Sequence, residues 1–119
     1  MIPVSIITVA YNSEDTIKRT IESVLHQTYS DIEYLIIDGA STDRTCEIAE
    51  SYTDRFAKKG FTFRIISEKD QGMYDALNKG IRKAHGVLIG SINADDWYEP
   101  DIVKEMVRHY EEDTYDIAW

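Results

Sequence analysis

The chain has little of what marks a specialised protein class. It has one cysteine, Cys46, so no intrachain disulfide can form, and a lone thiol fits a reducing compartment. The neighbours of Cys46, Arg44 and Glu47, do not assemble a nucleophile site, so it reads as an inert helix residue. Positive charge is scarce: 13 Lys and Arg stand against 22 Asp and Glu, for a net charge of −9. That deficit argues against nucleic-acid binding, which needs a basic face against phosphate, and against docking on anionic lipid. No apolar run approaches the roughly 18 residues of a transmembrane helix. Met1-Ile2-Pro3-Val4 lacks the basic region and cleavage site of a signal peptide. A cytoplasmic setting is expected, free or at the cytoplasmic face of a membrane. Internal repeats, low-complexity segments and linkers are also missing, so residues 1–119 read as one domain.

Familiar ligand devices are missing too. There is neither a G-x-x-x-x-G-K-[ST] phosphate loop nor a G-x-G-x-x-G fingerprint. His26, His85 and His109 have no zinc-ligand spacing, and no Ser-His-Asp arrangement is legible. A phosphorylated ligand would therefore need a cation to offset the acidic surface, and a divalent metal is the natural candidate.

What is present is an alternation of strand-like and helix-like hydrophobic period. Residues 4–9 form a compact apolar run, followed by Ile17, Ile21, Val24 and Leu25 at helical spacing, with Asn12 or Ser13 as the expected cap. Residues 34–37 form a second run ending at Asp38-Gly39. A second helix carries Ile48, Ala49 and Tyr52, with Ser41 or Thr42 as its expected cap. Residues 61–66 and 87–92 read as further strands, 74–83 as a helix, and 114–119 as a fifth strand. Pro100 suits the first turn of a last helix bearing Ile102, Val103, Met106 and Val107. Strand-helix repetition predicts an α/β Rossmann-like sheet, mostly parallel, with helices on both faces. In such sheets ligands bind beyond the carboxyl ends of the strands, near the switch in strand order. The polar clusters Tyr11-Asn12, Asp38, 68–72 and 93–96 all fall at strand ends, so they are expected to converge.

Asp95-Asp96 is the first chemical candidate. Adjacent carboxylates repel, and a hard divalent cation, Mn²⁺ or Mg²⁺, relieves that repulsion while bridging to a diphosphate. The plainer alternative is a cap for the following helix, where negative charge is favourable. Asp38 either accepts a hydrogen bond from a base N–H or is an Asp-Gly turn residue. Tyr11 either stacks on a base or is a partly buried ring; Asn12 and Glu14 stand ready to hold nearby polar atoms. In the stretch from Asp70 to Gly80, Gly72 permits close backbone approach. Lys79 is either a phosphate partner or an ordinary surface lysine. Trp97, beside the acidic pair, is placed near a sugar.

The runs Val4-Ser5-Ile6-Ile7-Thr8-Val9-Ala10-Tyr11-Asn12, Ile36-Ile37-Asp38-Gly39-Ala40-Ser41-Thr42-Asp43 and Asn93-Ala94-Asp95-Asp96, in this order, resemble family 2 glycosyltransferases. Gly72, Ala76, Asn78, Gly80 and Gly86 fall in the same family pattern. The resemblance covers essentially the whole chain. It implies a GT-A fold, a nucleoside-diphosphate sugar donor (UDP by the family's habit), a divalent metal, inversion at the anomeric carbon, and a saccharide or lipid-linked acceptor. Carried over by position, it places Tyr11 against the base, with backbone contact from Val9. Glu14 and Asp38 contact the nucleoside, Asp70 and Asn93 line the donor site, and Asp95 or Asp96 reaches ribose and metal. The first position of the family's D-x-D is Asn93 here, which leaves open which carboxylate ligates the metal. The catalytic base of the family has no counterpart in this sequence, so the chain reads as the donor-binding portion of a longer catalytic domain, truncated on its C-terminal side. Two other classes remain: a non-catalytic nucleotide-binding module, and a phosphate-ester hydrolase, which lacks an Asp nucleophile after the first strand. An unpaired sheet edge at the cut would favour self-association.

Overall fold

The structure, a computed structural model, describes residues 1–113. Its elements run β1 (Val4–Ala10), α1 (Ile17–Leu25), β2 (Ile32–Asp38), α2 (Thr45–Glu50), α3 (Thr53–Lys59), β3 (Thr62–Ser67), α4 (Met73–Lys83), β4 (Leu88–Ser91) and α5 (Ile102–Asp113). The four strands lie in the order β3-β2-β1-β4, with every neighbouring pair parallel. The predicted parallel α/β sheet is therefore present. The fifth strand expected at residues 114–119 lies outside the described residues.

Why β1 and β2 are apolar almost throughout follows from their central position. Both faces of each are covered, so alternate residues enter different cores. Val4, Ile6 and Ala10 of β1, with Ile32, Tyr34 and Ile36 of β2, join the larger core under α1, α2, α3 and α5. Ile7, Leu35 and Ile37 face the other way, onto Ala76 of α4. The helices thus occupy both faces, unequally.

The larger core encloses the phenol of Tyr34. Tyr34 is fully buried between Phe56 and Phe63, whose ring centres each lie 5.6 Å from its own. Its hydroxyl shares a 2.7 Å hydrogen bond with the Thr8 hydroxyl, which removes the cost of an unpaired phenol. Burial pushes the Tyr34 phenol far above its ordinary range, so it stays neutral.

Three helix ends differ from their sequence expectation. Neither Asn12 nor Ser13 caps α1 through its side chain. The Ser13 carbonyl instead accepts the N–H groups of Thr16 and Ile17, and α1 starts at Ile17. Ser41 and Thr42 do not cap the second helix either; Asp43 Oδ1 accepts the Thr45 N–H at 3.0 Å, and the helix starts there. The expected single helix is two, α2 and α3, joined through Ser51 and Tyr52. This joint brings the Tyr52 ring into the core and its hydroxyl onto Glu22. Gly60, at φ 84° in the left-handed region, ends α3, as glycine does without steric cost.

Candidate functional site

The strand order reverses direction between β1 and β4, and the carboxyl ends of the strands open there into a cleft of about 700 Å³. Val9, Ala10 and Tyr11 line it from β1, Gly39 and Ala40 from β2, and Asn93, Ala94 and Asp95 from the turn after β4. Lys69, Asp70, Gly72 and Met73 close the remaining side. Of the sequence candidates, Val9, Tyr11, Asp70, Asn93 and Asp95 come together on this surface.

Glu14, Asp38 and Asp96 are placed differently. Asp38 is fully buried behind the wall. Its Oδ2 accepts the Ser41 N–H and the Ser67 hydroxyl, both at 2.8 Å, while Oδ1 accepts the Ser41 hydroxyl. Glu14 is exposed outside the lining and accepts the Arg44 N–H at 3.1 Å. Asp96 is not among the residues that line the cleft. Its Oδ1 accepts the Trp97 N–H, and its charge adds to the burial that pushes the Tyr98 phenol up to about 12. Neither Asp95 nor Asp96 caps α5, which begins at Ile102.

The walls are tied by side chains that carry no chemistry of their own. Asn12 adopts φ 47°, a left-handed conformation that Asn tolerates better than most residues. From there its N–H donates to Ser41 Oγ and its side-chain oxygen accepts the Thr42 N–H, both at 2.8 Å. The loops after β1 and β2 are thereby clasped. On the opposite side, Thr16 donates to the Ala94 carbonyl at 2.8 Å, and the buried Thr20 hydroxyl donates to the Asp96 carbonyl. These two hydroxyls, one turn apart on the start of α1, fix the acidic turn. Sequence reasoning missed Thr16, Thr20, Ser41 and Ser67; hydroxyls at i and i+4 on an amphipathic helix are the one signal that pointed to the first two.

Tyr11, at 62% exposed, presents its ring to solvent at the cleft rim. Trp97 does not line the cleft; the Arg19 guanidinium lies over its ring, 4.7 Å from the centre. Ala40, on the cleft floor, has φ 61° without being glycine. A left-handed L-residue costs about 1–2 kcal/mol, partly recovered because alanine restricts the unfolded chain. Ala40→Gly is accordingly expected to raise the melting temperature by about 4 °C, near 1 kcal/mol for a chain of this size. A thermal melt showing no rise would remove the strain assigned to this position.

The acidic groups suit a hard cation. Asp95 is exposed on the wall, and its carboxylate accepts no hydrogen bond among the described residues. No group of three His, Cys, Asp or Glu gathers into a closed metal cage among the described residues. Mg²⁺-like ions are commonly held by one or two carboxylates plus the phosphates of a substrate, so an open site with Asp95 and the Asn93 amide fits that mode. Lys69 is the one cationic residue in the lining among the described residues, too little to neutralise a diphosphate alone.

This arrangement of fold and cleft has relatives. The glycosyl transferase family 2 profile matches residues 5–119, and the chain belongs to that family. It is 39% identical to the putative glycosyltransferase EpsH of Bacillus subtilis over 88% of this chain and 29% of that protein. TarS of S. aureus, residues 1–349 in complex with UDP, superposes with a TM-score of 0.83 at 24% identity, over 92% of this chain and 32% of that one. Mannosyltransferase PcManGT from Pyrobaculum calidifontis, in complex with GDP-Man and Mn²⁺, gives 0.83 at 24% identity, over 95% and 33%. The chain thus spans about a third of the length of these proteins. Among the described residues no helix is long and apolar enough to cross a membrane.

Proposed function

We propose that this chain forms the donor-binding part of an inverting glycosyltransferase that moves a sugar from a nucleoside-diphosphate sugar to a saccharide or lipid-linked acceptor in the cytoplasm. The observation that carries the reading is the cleft at the β1/β4 switch, lined by an exposed aromatic ring, Tyr11, and by the Asp95 carboxylate, which has no partner among the described residues. The spacing of roles follows the ligand. Tyr11 stacks on the base, the Val9 and Ala10 backbone offers its edges, and Asp70 and Asn93 hold polar atoms of the nucleoside and sugar. Asp95 would hold Mn²⁺ or Mg²⁺, which would supply positive charge against the diphosphate.

Asp38 and Glu14 enter the reading as wall supports. Asp38 is spent on Ser41 and Ser67, and Glu14 on the Arg44 N–H, so both shape the surface on which the nucleoside rests. Inversion also requires a carboxylate that takes the proton of the attacking acceptor hydroxyl. None of the described residues is assigned that role. Asp75 is not given that role: its Oδ2 accepts the Gln71 N–H and pairs with Lys79, and the residue does not line the cleft.

UDP and GDP-Man are carried by relatives of this fold, in the TarS and PcManGT complexes respectively. UDP is the proposed nucleotide of the donor. Calorimetric titration with UDP and with GDP, each with and without Mn²⁺, tests the reading. Binding of UDP that strengthens at least about tenfold with Mn²⁺ is expected, the scale of a single good charge-assisted contact. Equal binding with and without metal would sink the metal assignment, and no binding of either nucleotide would sink the donor reading.

A further inference from the structure

Lys79 is a cation that neither faces solvent nor reaches the cleft. It lies on α4 with its side chain only 14% exposed. Its ammonium donates to the Lys69 carbonyl at 3.1 Å and pairs with Glu68 at 3.2 Å and Asp75 at 3.6 Å. Asp75 Oδ2 in turn accepts the Gln71 N–H at 2.9 Å. A single ammonium therefore fastens the segment between β3 and α4 at three points: the Glu68 side chain, the Lys69 carbonyl and, through Asp75, the Gln71 N–H. The ammonium makes one hydrogen bond, to the Lys69 carbonyl, and has two carboxylate partners, Glu68 and Asp75, so its charge is already engaged within the protein.

The fastened segment is the one that brings Asp70 to the cleft. Asp70 Oδ1 accepts the Gly72 N–H at 3.1 Å, and Gly72 sits at φ 113°, where an L side chain is strained. On its other side the Asp70 carboxylate lies against Gly39, where a Cβ would come within 2.9 Å of Oδ2. Asp70 is thus wedged between the end of β2 and its own loop, with no ion pair of its own among the described residues. Its position depends on the loop, and the loop's anchor in the protein body is Lys79.

We infer that Lys79 is a positioning residue for donor binding: its ammonium, held between Glu68, Asp75 and the Lys69 carbonyl, keeps the 68–72 segment in place so that Asp70 stands in the cleft. This rests on the cleft being the donor site, and it gives Lys79 a role that neither a phosphate contact nor an ordinary surface lysine would have. Preorganisation of this kind improves affinity by removing the cost of ordering the segment when the ligand arrives.

The test couples hydrogen exchange with titration on the parent and on Lys79→Met, Lys79→Arg, Asp70→Asn and the Lys79→Met/Asp70→Asn double variant. Without ligand, exchange at the Gln71 amide is expected to accelerate about tenfold in Lys79→Met and to stay near parental in Lys79→Arg, which keeps the charge. UDP affinity in the presence of Mn²⁺ should fall about tenfold in Lys79→Met, a mid-range coupling for residues in one network. In the double variant it should fall no further than in Asp70→Asn alone. Additive losses in the double variant would overturn the inference that Lys79 acts through Asp70. Parental Gln71 exchange in a folded Lys79→Met would overturn the positioning role altogether. Where Lys79→Met does not fold, Glu68→Gln removes one exposed partner and is expected to weaken UDP binding about threefold; no change there counts against the inference. A parent that binds neither UDP nor GDP refutes the donor reading, while the Gln71 exchange still decides whether Lys79 fixes the loop.

Discussion

Asp95→Asn is expected to abolish most of the Mn²⁺-dependent gain in UDP affinity, a loss of about tenfold, whereas Asp96→Asn changes it by no more than about threefold. The two residues are adjacent, and in sequence they are equivalent. The structure separates them by place. Asp95 lines the cleft, and its carboxylate is free of hydrogen bonds among the described residues. Asp96 accepts the Trp97 N–H and lies beside the Tyr98 phenol, and its carbonyl is held by Thr20. Replacing a charged oxygen by an amide keeps the shape but removes the negative charge that a hard cation selects, so the loss falls on the residue that reaches the metal. Asn93→Asp adds a second carboxylate to the same wall and is expected to raise Mn²⁺ affinity by several-fold, in the direction of added ligand charge. Titration of each variant with Mn²⁺ present and absent separates metal affinity from nucleotide affinity. Equal losses in Asp95→Asn and Asp96→Asn would mean that the turn rearranges on binding, and the assignment of the metal to Asp95 would fail.

The features legible in the sequence were those with a strong local signature. Two central strands buried on both faces read as uninterrupted apolar runs, so β1 and β2 were visible to within a residue or two. The convergence of strand-end clusters followed from the parallel topology alone, which is why Tyr11, Asp70 and Asp95 were anticipated together. What escaped was non-local. Gln27 is buried at 1% exposed, and its side-chain oxygen accepts the Val103 N–H at 3.1 Å, capping α5 from a residue 76 positions away. No window of sequence contains both partners. The direction of a side chain was equally hidden: Asp38 and Asp70 both follow strands, yet one is locked inside by Ser41 and Ser67 while the other reaches the cleft. Cap prediction failed where loops answered to each other, as when Asn12 turned from α1 to the Thr42 N–H. Local propensity competes poorly with such tertiary partners.

Gly80→Val is expected to cost about 3 kcal/mol of stability, the upper end of overpacking in a close-packed interior, and to lower UDP affinity along with it. Gly80 lies inside α4, where glycine ordinarily costs about 1 kcal/mol against alanine, so its presence calls for a packing reason. A Cβ at this position would lie 2.7 Å from Ile7 Cγ2 and 3.2 Å from Ile37 Cγ1. Those two isoleucines belong to the central strands and are themselves fully enclosed. They have no free volume to move into, so the helix must rise off the sheet instead. Gly80→Ala sets the same contact against the gain in helix propensity and is expected to lose about 1 kcal/mol net. Lys83→Ala, on an exposed position of the same helix, is expected to stay within about 0.5 kcal/mol of the parent. Because α4 carries Met73 into the cleft and Lys79 onto the Asp70 segment, lifting it from β1 and β2 also displaces one wall of the donor site. Chemical denaturation of the three variants measures the stability order, and UDP titration of the folded fraction measures the wall. A Gly80→Val protein as stable as the parent would mean that the helix and sheet are not in the close contact on which this placement of the cleft depends.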